Sequence, residues 1–509
     1  MIVFSFPDFG KIAISLLVLF GIVYGDGNHI TLADRASNSV FVWPLVNNTK
    51  VAQSSAFKLD VRGSHGRAWQ SVPIYTTPVA EINATTGSSK KYSTNYALFD
   101  YDGQVEVSIE PQVAGFPSIS EVRVRPLSYG IEPVINDRKI TFTLYEPFDN
   151  VIVEINGDIF NVLTIWTNRL EKNRLSAQAV ANDNSIVYYA PGYYNLTEPI
   201  SLLSGQTLYL AAGAYLKFPE PSDIAVNIVN ATNVKIRGRG FIGATMMILN
   251  STDISMDGAF ASVGGFQIAV TQRVHVNGWR SITSHQWGDG MDIYCSKDVL
   301  VENMFIRSSD DSIALYQHRW DYYGNSSNLT IQDSSLWADV AHPINIGTHG
   351  DSNSPETMDG VTIKNIDILD HREPQIDYQG AIAFSVGDDN LIKNTLIEDV
   401  RVEDFRWGQL LSVRVVFNSK YNTSPGRGVE NLTVKGLAYT DTNLNNKHST
   451  AVISGYSGTR TVSFVDIQGL VIDGVHVWDG MRKPSWYQTT DFVPMIVGSF
   501  VQNLTFSAP

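Results

Sequence analysis

A chain of 509 residues, 43% hydrophobic and 17% charged, can bury a large core and is too apolar for a disordered protein. Its 39 glycines and 11% aromatics suit a β-rich globular chain better than a helical one. The formal net charge of −14, with no Lys/Arg stripe, excludes a nucleic-acid binder. It also makes a strongly anionic polymer a poor substrate unless a local basic pocket reverses the field.

At the N-terminus Lys11 precedes the apolar run "IAISLLVLFGIV" and the small-residue end "VYGDG". Residues 1–25 are therefore expected to be a secretory signal peptide cut near Gly25, which makes the mature protein extracellular and free of the membrane. A membrane anchor is the alternative, and the run is short for one. Ten N-x-S/T sequons point the same way: Asn47, Asn83, Asn195, Asn230, Asn250, Asn325, Asn328, Asn422, Asn431 and Asn503. The single cysteine, Cys295, rules out an intramolecular disulfide, and its flanking "MDIY" reads as strand, so it is expected to be a buried small hydrophobe.

Residues 26–165 show short bursts of period-2 alternation, "VEVSIE", "EVRVRPL", "KITFTLYE" and "NVIVEIN", parted by turn residues. That pattern predicts an N-terminal β-sandwich. Trp43 and Trp69 are its candidate sugar-binding aromatics, with the core as the alternative for each. Residues 166–186 are polar with one short helical stretch and read as a linker.

From 187 to 509 the texture changes to short strands punctuated by Gly and Pro. One phrase recurs there: a turn residue, an apolar–x–apolar pair, then Asn, Gly or Asp. It appears as "TNVKIRG", "QRVHVNG", "KDVLVEN", "SNLTIQD", "DGVTIKN" and "ENLTVKG", with Val234, Val274, Val299, Leu329, Val361 and Leu432 at the first apolar position. A repeat near 25 residues with variable insertions predicts a β-solenoid, because no coil can bury its apolar side chains alone. A propeller would need longer, more regular units.

Stacked coils make neighbours of residues one coil apart in sequence. Asp289 in "WGDGMDIY" precedes Asp311 by 22 residues, and His342 in "HPINIGTHG" follows Asp311 by 31. Asp289, Asp310, Asp311 and His342 are thus expected on one outer face. One protonated carboxyl, one ionised carboxylate and a histidine that shares or relays a proton make a kit for glycosidic hydrolysis. Crowding of like charges would keep a proton on one of them. Each "DG" or "DD" alone is ordinary turn chemistry, and an acidic cluster also suits calcium. The Asp388–Asp389 pair in "VGDDN" reads as a turn.

"DGMDIY", "SSDDSIALY" and "HPINIGTHG", in that order, resemble the three active-site motifs of glycoside hydrolase family 28, the polygalacturonases. The stretch "APGYYNLTEPISLLSGQTLYLAAGAYLKF" resembles that family's first coil. The resemblance covers roughly residues 187–505. It implies an all-β chain with a right-handed parallel β-helix, inverting hydrolysis, and no cofactor or metal. It also implies Asp310 as general acid, Asp289 and Asp311 as the pair that activates water, and His342 as the supporting histidine. This sequence departs from the family at Gly288, at Ser312 and at "AHP", and has no basic residue at 380–387, where the family's galacturonate clamp belongs. Features of family 49, the dextranases and isopullulanases, are present too: an N-terminal β-sandwich, "IALY" after the Asp pair, and "LWADVAHPINIG". That family implies a neutral α-glucan as substrate.

Trp287, Tyr316, Trp320, Tyr322, Tyr323 and Trp337 lie near the expected cleft, where aromatic faces stack on sugar rings; Trp337 reads equally as core. His318, Arg319 and Asp321 sit in an inserted loop, and Arg319 and His349 are the candidates to hold an acidic sugar. The expected partner is a polysaccharide, and the expected state a monomer. A polysaccharide lyase and a non-catalytic glycan-binding protein are the rival functions.

Overall fold

The computed structural model describes residues 38–508, apart from 65, 67, 83–87, 148, 442–446 and 494. The expected signal segment and the Asn83 sequon lie outside the described residues. All described residues belong to one compact unit.

The recurring phrase is the structural repeat. Val234, Ile254, Val274, Val299, Leu329, Val361, Thr395, Leu432 and Val465 stand in register on successive parallel strands. None is more than 3% exposed. Each coil therefore covers the apolar residue of the one before, which is what drives a solenoid to stack. The residue preceding each of these nine has a positive φ, between 53° and 79°. Asn, Asp and Gly tolerate that conformation best, which is why the phrase begins on a turn residue. The turns also tie coil to coil: Asn328 Nδ2 donates to Asp298 Oδ1 at 2.7 Å, and Asn431 Nδ2 to Asn394 Oδ1 at 3.0 Å. Ile254, Thr395 and Val465 belong to coils that the sequence pattern did not reveal.

This geometry accounts for several sequons. Asn230, Asn250, Asn328, Asn431 and Asn503 all occupy left-handed turn positions, so backbone demand places Asn there with or without a glycan. Asn422 is 6% exposed and its amide donates to the Thr348 carbonyl, so it is not an acceptor in the folded protein.

A second sheet of eleven parallel strands runs beside the first among the described residues, and the fold is a right-handed parallel β-helix. Met291, Ile313, Ile344, Ile382 and Leu411 share one register and face the core. Asp292, Ala314, Asn345, Ala383 and Ser412 form the next row, on the outer face.

The N-terminal residues form two facing sheets. One contains Phe57–Gly63, Val105–Pro111 and Lys139–Leu144; the other contains Ser89–Asp102, Val151–Ile155 and Asp158–Arg169. The last of these strands runs past residue 165, so Trp166–Arg169 are strand and not linker. Ala97, Phe99 and Tyr101 pack between the sheets, while Tyr96 and Leu98 pack with Trp166 against Phe241, Phe305 and Trp337 of the coils. Burial on both faces explains why "ALFDY" lacks polar alternation. Trp43 belongs to this second cluster, and its Nε1 donates to Asp100 at 2.9 Å. Trp69 is half-buried, with the Arg62 guanidinium 4.4 Å from its ring centre. Buried ion pairs cross the same contact: Arg125 Nε to Glu403 at 2.6 Å, and Arg239 Nε to Asp100 at 2.8 Å.

Candidate active site

The site sits on the turns that enter the eleven-stranded sheet. Gly290 N donates to the Asp311 carbonyl at 2.9 Å, and Ser312 N to the His342 carbonyl at 2.7 Å. The strands that follow pair Met291 with Ile313 and Ile313 with Ile344. Asp289, Asp311 and His342 therefore precede their strands by the same two positions in three successive coils. Gly288 is required locally: a Cβ there would lie 2.4 Å from Ser309 Oγ. Ser312 is buried and shares a 2.8 Å hydrogen bond with Ser308.

The carboxylate oxygens of Asp289, Asp310 and Asp311 come within 4.8 Å of one another. Their environments differ. Asp311 accepts from His342 Nδ1 at 2.7 Å and His342 N at 3.1 Å on one oxygen. On the other it accepts from Tyr316 Oη at 2.7 Å and Asn345 Nδ2 at 2.8 Å. Burial would raise this carboxyl, but the His342 charge and the donated bonds outweigh it and hold Asp311 below its ordinary value. With four donors on two oxygens it has no lone pair left for a water or a metal ion. The geometry departs from the expectation that Asp311 activates water, since all four of its acceptor sites are taken and it is held ionised.

His342 is fully buried, and both its ring nitrogens face acceptors: Asp311 and the Tyr378 carbonyl. Burial opposes its charge, yet Asp311 raises it to about 9, so it is an imidazolium. It has no free nitrogen with which to relay a proton, and it supports by charge instead.

Asp310 is half-buried, and its carboxyl accepts the Asp311 N–H at 3.1 Å. Burial first, then the Asp311 charge, push its carboxyl up to about 8. Glu373, 3% exposed, adds to that push. Asp289 is raised well above its ordinary value by burial, then by Asp292, Asp310 and Asp311. Asp292 is raised by burial to about 7, against hydrogen bonds donated by Tyr294 and Asp289. Asp289 and Asp292 thus form a hydrogen-bonded acid pair, with Asp292, 4% exposed, lying beneath.

Asp292 and Glu373 went unnoticed in the sequence. Asp292 carried a signal, since it is the one charge in the apolar strand "MDIY". Glu373 carried none, because its place beside His342 comes from the loop after Asp370.

The substrate-side candidates divide. Trp287 is 76% exposed and Trp320 58%, both at φ 52°, a costly conformation for a large side chain. Tyr323 is 65% exposed. The Arg319 guanidinium lies 4.8 Å from the Trp320 ring centre. His318 is half-buried and bonds the Trp320 carbonyl at 2.8 Å. Tyr316 is not a sugar platform: it is 6% exposed and its hydroxyl is committed to Asp311. His349 cannot hold an acidic sugar by charge, because burial and then Arg319 lower it to about 4. Trp337 is buried core, and Cys295 is buried as expected. Asp388 and Asp389 are a turn: Asp388 accepts from Thr423 and Ser424, and Asp389 pairs with Arg460 at 2.6 Å.

No family model matches the chain, and no curated protein matches it. Among solved structures it is similar to Dex49A from Penicillium minioluteum, with a TM-score of 0.63 and 15% identity over 93% of this chain and 99% of that one. An exopolygalacturonase from Thermotoga maritima gives a TM-score of 0.47 at 12% identity, covering 63% of this chain and 84% of that one. A family 28 exopolygalacturonase from Yersinia enterocolitica gives 0.46 at 11%, covering 79% and 96%. The likeness to Dex49A establishes that this chain shares its fold, N-terminal sheets included.

Proposed function

We propose that this protein is a glycoside hydrolase that cleaves a neutral polysaccharide. The observation that carries the reading is the convergence of differently poised acids: Asp310 held protonated near neutral pH, Asp311 held ionised, and the hydrogen-bonded Asp289 and Asp292 both raised by burial. Asp310 donates its proton to the leaving glycosidic oxygen as the bond to the anomeric carbon breaks. Water attacks that carbon and gives a proton to Asp289, whose own proton passes to Asp292.

The neutral substrate follows from the local field. The acids Asp289, Asp292, Asp310, Asp311 and Glu373 outnumber the cations that act on them, His342 and Arg319, and the outward row offers Ala383 and Ser385 where a clamp for an acidic sugar was expected. Exposed Trp287 and Trp320 suit a neutral ring. The likeness to Dex49A supports the same side of the resemblance. Export remains part of the reading and rests on residues 1–25; N-terminal sequencing of the mature protein tests it.

A reducing-sugar screen over dextran, pullulan, arabinan and pectate, run on wild type and Asp310→Asn, tests the proposal. Release from a neutral glucan that the variant loses supports it; full activity in the variant, or no release from any polymer, overturns it. Proton NMR of fresh product reads the stereochemistry. Family 28 implies inversion, whereas acids within 4.8 Å are closer than the roughly 6.5–9.5 Å common in inverting enzymes.

A further inference from the structure

Beside the catalytic turns lies a second feature that the hydrolytic chemistry does not use. A cavity of about 200 Å³ is lined by Asp377, Tyr378, Ser385, Arg414, Phe417 and Asn418, among others. That is below the roughly 300–1,000 Å³ of pockets for drug-sized ligands, and on the scale of one sugar ring.

Arg414 is the unusual member. The more deeply buried arginines spend their donors within the protein: Arg125, Arg239, Arg307 and Arg406 each pair with a carboxylate, and Arg280 bonds Asn150 and the Gly278 and Thr167 carbonyls. Arg414 is half-buried and makes one hydrogen bond, from Nη1 to the Asp377 carbonyl at 2.6 Å. A guanidinium carries five N–H donors, so most of its capacity is left for a ligand.

The cavity adjoins the catalytic site. The Tyr378 carbonyl holds His342, and its hydroxyl accepts from Asn345, which in turn donates to Asp311. Along the sheet, Ile313 pairs with Ile344, Ile344 with Ile382 and Ile382 with Leu411. Arg414 thus stands three coils beyond Asp311, about 14 Å along the stacking axis at the ordinary strand spacing, and five register positions further along its coil. Its ladder neighbour is Ser385.

The lining offers donors on Arg414, acceptors on the Asp377 carboxylate, an amide and a hydroxyl that do both, and the Phe417 ring, 47% exposed. Hydroxyls that donate and accept, above an apolar ring face, describe a neutral pyranose. An anionic sugar would meet Asp377 together with Arg414. We propose that this cavity is a distal subsite that binds one neutral sugar unit of the substrate, with Arg414 donating to its hydroxyls and the Asp377 carboxylate selecting against acidic sugars. The proposal rests on the hydrolase reading and adds where and what the chain is gripped by.

The test uses full-length protein carrying Asp310→Asn, so that bound glycan is not cut. Isothermal titration with dextran- and pullulan-derived oligosaccharides of increasing length is compared before and after adding Arg414→Ala or Asp377→Asn. The expected result is a loss that grows with chain length, reaching about ten- to a hundredfold for the longest. A loss of equal size at every length makes Arg414 structural and overturns the subsite. Tighter binding of uronate oligosaccharides in Asp377→Asn, with neutral ones unchanged, makes the cavity an anion site and overturns the neutral-sugar assignment. Binding of no oligosaccharide by the Asp310→Asn parent overturns the hydrolase reading itself, and the subsite with it.

Discussion

His342 Nδ1 and Asp311 Oδ1 lie 2.7 Å apart, with His342 fully buried and Asp311 4% exposed. Because the other imidazole nitrogen faces the Tyr378 carbonyl, the ring must carry both protons, and the pair is ionic. Removing one partner strands a buried charge, which costs about 3–5 kcal/mol. His342→Ala is therefore expected to lose about that much in urea unfolding. The pH dependence has a definite sign. His342 is raised from 6.5 to about 9, so its contribution is fully present below pH 6.5 and is lost as pH rises through about 9. Asp311 is lowered, so its contribution is present above its ordinary value and is lost on acidification below it. The variant should lack the alkaline fall between pH 6.5 and 9 that wild type shows; an unchanged profile would place the proton elsewhere.

Asp310 and Asp311 are adjacent in sequence and shifted in opposite directions, and under the proposed reaction their amide variants should separate. Asp310→Asn removes a proton donor that has few internal partners. The expected drop in kcat is about 10²–10⁴-fold with little change in stability. Asp311→Asn removes the acceptor of four hydrogen bonds and the partner of an imidazolium, so unfolding midpoint and activity should fall together. Circular dichroism melts beside initial rates make the comparison. Equal stability loss in both variants would contradict the division of labour.

Glu373 offers a way to move the acid without touching it. Its negative charge is one of the causes that raise Asp310, after burial and Asp311. Glu373→Gln removes that charge, so Asp310 should ionise at a lower pH. The alkaline limb of the rate profile, set by loss of the Asp310 proton near pH 8, should shift toward acid. A shift toward base, or none, would dissociate that limb from Asp310.

What the sequence made legible follows from spacing. The distances 289 to 311 and 311 to 342 are coil lengths, so three of the four catalytic candidates fall into register as soon as the coils are recognised. Asp310 follows from its neighbour. Roles were less legible than positions, because they depend on which donors reach each carboxylate. Tyr316 illustrates this: its place in "IALY" signals proximity, but whether an aromatic one turn from the acids points at solvent or at Asp311 is decided by the coil above it. His349 is a candidate to hold an acidic sugar by its residue type, whereas burial and then Arg319 lower it to about 4 and keep it neutral. The coils at Thr395 and Val465 escaped because Thr395 stands where an apolar residue is expected and Phe464 where a turn residue is, while Ile254 lies between two coils of only 20 residues, shorter than the expected repeat. Arg414 was invisible for the opposite reason. It sits in an ordinary alternating strand, "LSVRV", and becomes notable only when its one hydrogen bond and its place in the cavity wall are seen.

In the proposed reaction the Asp289–Asp292 pair carries the remaining step, acceptance of the water proton. Asp292 contributes negative charge that raises Asp289, and it receives the hydrogen bond from Asp289. One of its oxygens is buried without a partner, an arrangement that accommodates a second proton at low cost. Asp289→Asn should therefore lower kcat by about 10²–10⁴-fold at every pH. Asp292→Asn should act differently. Asp289 loses a neighbouring charge and ionises at lower pH, so the acid limb of the rate profile moves toward acid. The maximal rate falls by less than in Asp289→Asn, because the direct acceptor is still present. Rates measured from about pH 4 to 9 on both variants distinguish a proton acceptor in reserve from a merely structural carboxylate, for which the limb would stay where wild type has it while only the unfolding midpoint dropped.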